Sequence, residues 1–193
     1  MTESKLVRSF IAVNLPVELK EEIERATAPL RASGADVKWV VARNLHITLK
    51  FLGYVPEEDL KKIEKAAAKV VRGSSPFEIE FSGIGSFPER TKSPRVVWVG
   101  VKDTSGGGLE RIQRELEASL KELGFEPEGR FSPHITLGRV KSRRNTADLL
   151  RALTTLRDAL FGKIKVEKID LMRSDLAPSG AEYSIIKEIR FGQ

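Results

Sequence analysis

Cysteine is absent from the 193 residues, and histidine, tryptophan, tyrosine and methionine occur only twice each. Without thiols there is no disulfide, no thiolate nucleophile, no zinc–thiolate site and no iron–sulfur cluster. Long apolar runs are missing as well, and nothing approaches the ~20 residues that a membrane-spanning helix needs. The first residues, Met1-Thr2-Glu3-Ser4-Lys5, carry no cationic start, apolar stretch or small-residue cleavage site of a signal peptide. The expected compartment is therefore the cytoplasm, with no membrane association. Asn and Gln are scarce beside Lys, Arg and Glu, as in heat-adapted proteins.

What the chain does contain is 40% apolar and 31% charged residues, the mixture of an ordinary globular protein long enough to bury a sizeable core. A net charge of +6 favours an anionic partner. The charge is dispersed, with only short clusters such as Lys141-Ser-Arg143-Arg144. That distribution suits a small or single-stranded nucleic acid better than a long duplex, whose capture uses a basic stripe.

Apolar periodicity predicts strands over 9–14, 45–52, 77–81, 96–101, 163–172 and 182–191, with another inside 131–140. Helices are expected over about 16–31, 56–71, 109–123 and 146–160. Each has a Pro, acidic or Gly boundary signal at one end or both. A shift of 88 residues superposes His46 on His134, Phe10-Ile-Ala-Val13 on Trp98-Val-Gly-Val101, and the helix near Glu57 on that near Asn145. The chain thus reads as an α+β fold made from a duplicated strand–helix–strand–helix–strand unit. Two pseudo-symmetric lobes are expected, with antiparallel sheets facing a central cleft and helices outside. The repeats span about 6–88 and 94–193 in a single bilobal domain, joined through the loop 87–94.

Both histidines lie in the same tetrapeptide, His46-Ile-Thr-Leu49 and His134-Ile-Thr-Leu137. On a strand, side chains alternate between faces. His46 and Thr48 therefore share one face, and His134 and Thr136 share its counterpart, while the Ile and Leu of each segment anchor the opposite face. A pseudo-twofold axis would bring two imidazoles and two hydroxyls to one cleft. Two histidines without cysteine leave a zinc centre short of ligands. The acids nearest the motifs in sequence, Glu57 and Glu128, sit in turn or helix-start contexts. No Gly-x-Ser-x-Gly elbow is present, and Gly106-Gly-Gly108 lacks the Lys-Ser/Thr of a phosphate loop, so it reads as a flexible helix start. Neither a metal nor a cofactor is expected.

Two imidazoles suit an in-line displacement at phosphorus. With an unperturbed pKa near 6.5, one can be a neutral base while the other is a charged acid. The threonine hydroxyls can bond the non-bridging oxygens. A strained 2′,3′-cyclic phosphate on ribose is a substrate that needs no metal.

Paired His-x-Thr motifs resemble the 2H phosphoesterase superfamily, and more closely its RNA 2′,3′-cyclic phosphodiesterases, also called 2′-5′ RNA ligases or LigT-like proteins. The resemblance extends to Arg8-Ser-Phe-Ile-Ala12, Asn44-Leu-His-Ile-Thr-Leu-Lys-Phe-Leu-Gly53, Phe87-Pro, Ser93-Pro-Arg-Val-Val-Trp-Val-Gly100 and Phe131-Ser-Pro-His-Ile-Thr-Leu-Gly-Arg139. It implies hydrolysis of RNA 2′,3′-cyclic phosphate ends to 2′-phosphates; the protein is expected to be a monomer. His46 would be the proton donor, His134 the proton acceptor, and Thr48, Thr136 and Arg139 the phosphate ligands. Strand parity alone points Arg139 away from the cleft, unless Gly138 permits a bulge. Phe131 is the expected base-stacking ring; Phe10, Phe51 and Trp98 are read as core, and Lys50 as sharing the face of His46. Joining of tRNA-like halves and RNA-end binding without chemistry are the alternatives.

Overall fold

A computed structural model describes residues 4–89, 91–178 and 180–192. The strands are β1 (Leu6–Asn14), β2 (Val37–Trp39), β3 (His46–Pro56), β4 (Phe77–Phe87), β5 (Val96–Asp103), β6 (His134–Val140), β7 (Leu160–Val166), β8 (Lys168–Ala177) and β9 (Gly180–Arg190). The helices are α1 (Val17–Ala26), α2 (Ala28–Ala32), α3 (Leu60–Val71), α4 (Gly108–Lys121) and α5 (Thr146–Thr155). The fold is α+β, with a single antiparallel sheet in the order β7-β4-β5-β6-β3-β1-β8-β9, and β2 added to β6.

The helices cover one face of the sheet because their apolar stripes match its buried side. Ile63 and Ala67 of α3, Ile112 and Leu116 of α4 and Leu149 of α5 share one core with Ile11, Ile47, Val97, Val99 and Ile135. All are essentially inaccessible to solvent, so shortening any one of the large aliphatic chains to Ala costs about 2–5 kcal/mol. The opposite face is the cleft.

The two units meet where Ile47 pairs with Ile135, positions 88 residues apart. A pseudo-twofold axis therefore passes between them. The third strand of each unit pairs with the first strand of the other: β4 lies beside β5, and β8 beside β1. The two sheets expected from the repeat are thus one sheet with exchanged third strands.

Four elements differ from the periodicity. The helix expected over 16–31 breaks at Thr27, whose hydroxyl bonds the Ile23 carbonyl, just before Pro29 in the first turn of α2. The helix expected to reach 160 stops at Thr155, and Leu160 opens β7 on the outer edge of β4. The strand expected over 163–172 is two strands, because β7 and β8 run to opposite halves of the sheet and change course at Glu167. Alternation continues through that residue, so periodicity alone cannot mark the break. The three residues of β2 are too few to show a period.

Candidate functional site

Both tetrapeptides open their strands at the axis. Antiparallel pairing about Ile47 and Ile135 directs His46 toward Thr136, and Thr48 toward His134. Each imidazole is fixed in the same way. His46 Nδ1–H donates to the Asn44 carbonyl at 2.7 Å, and His134 Nδ1–H donates to the Ser132 carbonyl at 2.7 Å. Asn44 and Ser132 are again 88 residues apart. A carbonyl only accepts, so the proton sits on Nδ1 and Nε2 is left for chemistry in both rings. His46 Nε2 lies 3.1 Å from Thr48 Oγ1. Asn44 is itself held through Asn44 Nδ2, which donates to the Ala181 carbonyl at 2.7 Å.

Aromatic rings brace both histidines. Phe10 lies under His46 at 4.8 Å between centroids, and Tyr183 meets it edge-on at 5.2 Å. Phe87 meets His134 edge-on at 5.2 Å and contacts Trp98, the repeat counterpart of Phe10, at 5.2 Å. Phe10 is buried as expected, but in a small cluster on the cleft face with Ala12 and Met172, apart from the main core. Trp98 is likewise on the cleft face, where it lines a groove and lies flat over Gly85; a Cβ there would come within 2.3 Å of the ring. Neither motif points to Phe87 or Tyr183, which come from β4 and β9; Phe87 enters the sequence only through the Phe87-Pro segment of the resemblance.

Burial pushes the His46 imidazole down to about 4, although its bond to the Asn44 carbonyl favours the charged form; the charges of Lys20 and His134 add to the lowering. Lys20 donates to the Arg43 carbonyl at 2.8 Å and is itself lowered by burial, against the attraction of Asp170. Buried Asp170 is raised by desolvation and accepts from Asn14 Nδ2 at 2.9 Å.

Bulges correct three placements. Between Ile11 and Ala12 the register of β1 on β3 skips Leu49; between Val97 and Trp98 that of β5 on β6 skips Leu137, its repeat counterpart. Each bulge reverses the strand parity beyond the Thr. Lys50, expected beside His46, therefore faces the helices opposite Ile11 and is 1% exposed. Its Nζ bonds Glu117 of α4 at 2.9 Å and the Glu126 carbonyl at 2.6 Å. Phe51, expected in the core, pairs with Phe10 and stands 52% exposed on the cleft face. Arg139 pairs with Val96, two residues from the Trp98 that pairs with Thr136, so it turns to the face of His134 and Thr136. It is exposed there. Phe131, expected to stack on a base, packs part-buried against the main core.

The groove beside His134 measures about 770 Å³ and runs past Phe87, Trp98, Gly100, Ser132 and Lys102 toward Arg157. Among the described residues no three His, Asp or Glu side chains converge as metal ligands would.

A profile of the 2′-5′ RNA ligase superfamily matches residues 15–178. A Methanothermobacter thermautotrophicus protein named RNA 2′,3′-cyclic phosphodiesterase is 38% identical over 184 residues, covering 95% of this chain and 98% of that one. A relative of the same name from Aeropyrum pernix is 40% identical, covering 82% of this chain and 88% of its own. Among solved structures, a Thermus thermophilus protein superposes with a TM-score of 0.79 at 31% identity, covering 96% and 98% of the two chains. E. coli LigT complexed with phosphate gives 0.75 at 28% identity, covering 98% and 100%. The chain belongs to the 2′-5′ RNA ligase superfamily of 2H phosphoesterases, and its relatives there carry the name RNA 2′,3′-cyclic phosphodiesterase.

Proposed function

We propose that the protein hydrolyses RNA 2′,3′-cyclic phosphate ends to 2′-phosphates by metal-independent acid–base catalysis at His46 and His134. The observation that carries this reading is the matched pair of imidazoles at the axis, each with Nδ1 fixed on a carbonyl so that Nε2 is the nitrogen that exchanges a proton. In the reaction, His134 Nε2 takes a proton as a water oxygen bonds to phosphorus. The P–O3′ bond breaks, and His46 Nε2–H gives its proton to O3′. Thr48 and Thr136 donate to the non-bridging oxygens, and Arg139 meets their charge from the bulged strand. The name of the relatives and the phosphate held by LigT are in keeping with this substrate.

A proton donor must be charged, and His46 is neutral above about pH 4 in the free protein. The incoming phosphate anion supplies the opposite charge that favours imidazolium. His46→Ala and His134→Ala are expected to lower turnover of a 2′,3′-cyclic nucleotide about 10²–10⁴-fold each, with wild-type activity unchanged in chelator. The profile of kcat/KM against pH is expected to be a bell whose two limbs belong to the coupled histidine pair. Full activity in either variant refutes the mechanism.

One observation favours a second activity. The 770 Å³ groove adjoins His134, on the side from which the nucleophile enters, and is far larger than a water requires. A 5′-hydroxyl RNA end lying there would give 2′-5′ joining through the same steps. Product analysis with paired RNA halves separates the two outcomes.

A further inference from the structure

Among the described residues, five of the nine large hydrophobic side chains that stand exposed lie together on one surface. They are Leu6, Phe51, Tyr54, Leu176 and Ile185. Register places all five on the cleft face of the β3-β1-β8-β9 half. Leu6 alternates with Phe10 along β1, Phe51 and Tyr54 pair with Phe10 and Arg8, Ile185 pairs with Met172, and Leu176 alternates with Met172 along β8. Two bulges in β3, at Leu49 and Leu52, are what turn both aromatic rings to this side. An apolar surface of this kind, continuous with a reaction site, marks a binding face.

The rungs of the β1–β3 ladder set a spacing. Thr48 pairs with Ala12, Phe51 with Phe10 and Tyr54 with Arg8, so each step along β1 is about 7 Å. Phosphate seat, first ring and second ring thus follow one another at intervals that an extended nucleotide can span. At the third rung Arg8 Nη1 donates to Ser174 Oγ at 2.6 Å. Among the described residues no carboxylate lies within ion-pair distance of Arg8, whereas neighbouring Lys5 and Arg173 both pair with Glu57. A recess of about 160 Å³ opens between Arg8, Tyr54, Arg173 and Ser174.

We propose that this face is a track for the RNA strand that carries the cyclic phosphate. Phe51 lies against the terminal base, and Tyr54, Arg8 and Ser174 hold the nucleotide before it. Single-stranded RNA is gripped by stacking rings alternating with cations, and the chain carries a net charge of +6. A protein surface would gain little from an unpaired guanidinium set among stacking rings, whereas a phosphodiester backbone meets it directly. This inference rests on the proposed substrate, and it predicts a preference for oligonucleotides over mononucleotides.

The test compares a 2′,3′-cyclic mononucleotide with a trinucleotide ending in the same group, in wild type, Tyr54→Ala and Arg8→Gln. Tyr54 is 64% exposed, so its replacement leaves the core intact. Each variant is expected to raise KM for the trinucleotide about tenfold and to leave kcat and the mononucleotide KM unchanged. Binding of a labelled trinucleotide 2′-phosphate, followed by anisotropy, should weaken by the same factor even if no cyclic phosphate is hydrolysed. That second reading separates failure of the track from failure of the proposed reaction. Equal effects on both substrates, or none on either with unchanged anisotropy, overturn the track. A monomer–dimer shift in sedimentation that tracks Tyr54→Ala without loss of RNA binding assigns the face to a second copy instead.

Discussion

The two halves of the cleft hold the same chemistry and differ in the walls beyond it. An offset of 88 residues relates the histidines, the threonines, the carbonyls of Asn44 and Ser132, and the bulged Leu49 and Leu137. The same offset relates Phe51 to Arg139 and Tyr54 to Ser142, so one half offers rings where the other offers a cation and a hydroxyl. Behind the bulges, Lys50 answers to Gly138. One half inserts a buried cation between sheet and α4; in the other, Val37 and Trp39 of β2 close over a bare backbone. The proposed displacement at phosphorus calls for an acid and a base on opposite sides of one atom, whereas the proposed RNA strand would extend to only one side. Matched imidazoles between unequal walls fit that proposal.

The sharpest way to break the comparison is at Lys50. Lys50→Ala leaves the part-buried Glu117 without its cation and frees the Glu126 carbonyl. A loss of about 3–5 kcal/mol in chemical denaturation is expected. Lys50→Met, which keeps the volume and removes the charge, should cost less but still expose Glu117. If Lys50→Ala matches a surface substitution, the buried pair is not what ties β3 to α4.

Its counterpart tests the other half. In Gly138→Ala the new Cβ would meet Val37 Cγ1 at 2.6 Å and Trp39 Cε3 at 2.9 Å, so β2 must shift. A destabilisation of about 1–3 kcal/mol follows. Because Arg139 is the next residue on that strand, KM should rise more than kcat falls. Unchanged stability would mean that β2 is only loosely laid on β6.

A smaller effect is expected in acid, through His46. The folded His46 titrates at about 4, below its unfolded value near 6.5, so the unfolded chain binds more protons between those limits. Stability therefore rises with pH through that window, is complete above it, and is lost as pH falls toward 4. For this partly open ring the slope amounts to about 1–2 kcal/mol in all, and His46→Gln should flatten it. A denaturation midpoint with the same pH dependence in that variant assigns the slope to other groups.

Much of the site is legible in the sequence because it depends on local parity and repetition. His46, Thr48, His134 and Thr136 fall on one face through the alternation of a strand, whatever the strand pairs with. Beyond the threonines that logic fails at both bulges, which is why Lys50 and Phe51 stand on the faces opposite to those expected. A bulge is a property of two strands in register, and the sequence of either strand alone does not contain it. Arg139 stays open in the sequence for the same reason and is decided by its pairing with Val96.

The sequence by itself determined the duplicated unit, the two imidazoles and their hydroxyls, and the apolar stripes that make helices cover one side of a sheet. Each is a pattern of neighbours, set by covalent geometry and burial. Only the tertiary structure decided that third strands cross to the other unit, that Phe87 and Tyr183 brace the histidines, and that Phe51 and Tyr54 face the cleft. Those facts rest on contacts between segments tens of residues apart or more, and no local preference encodes which strand lies beside which.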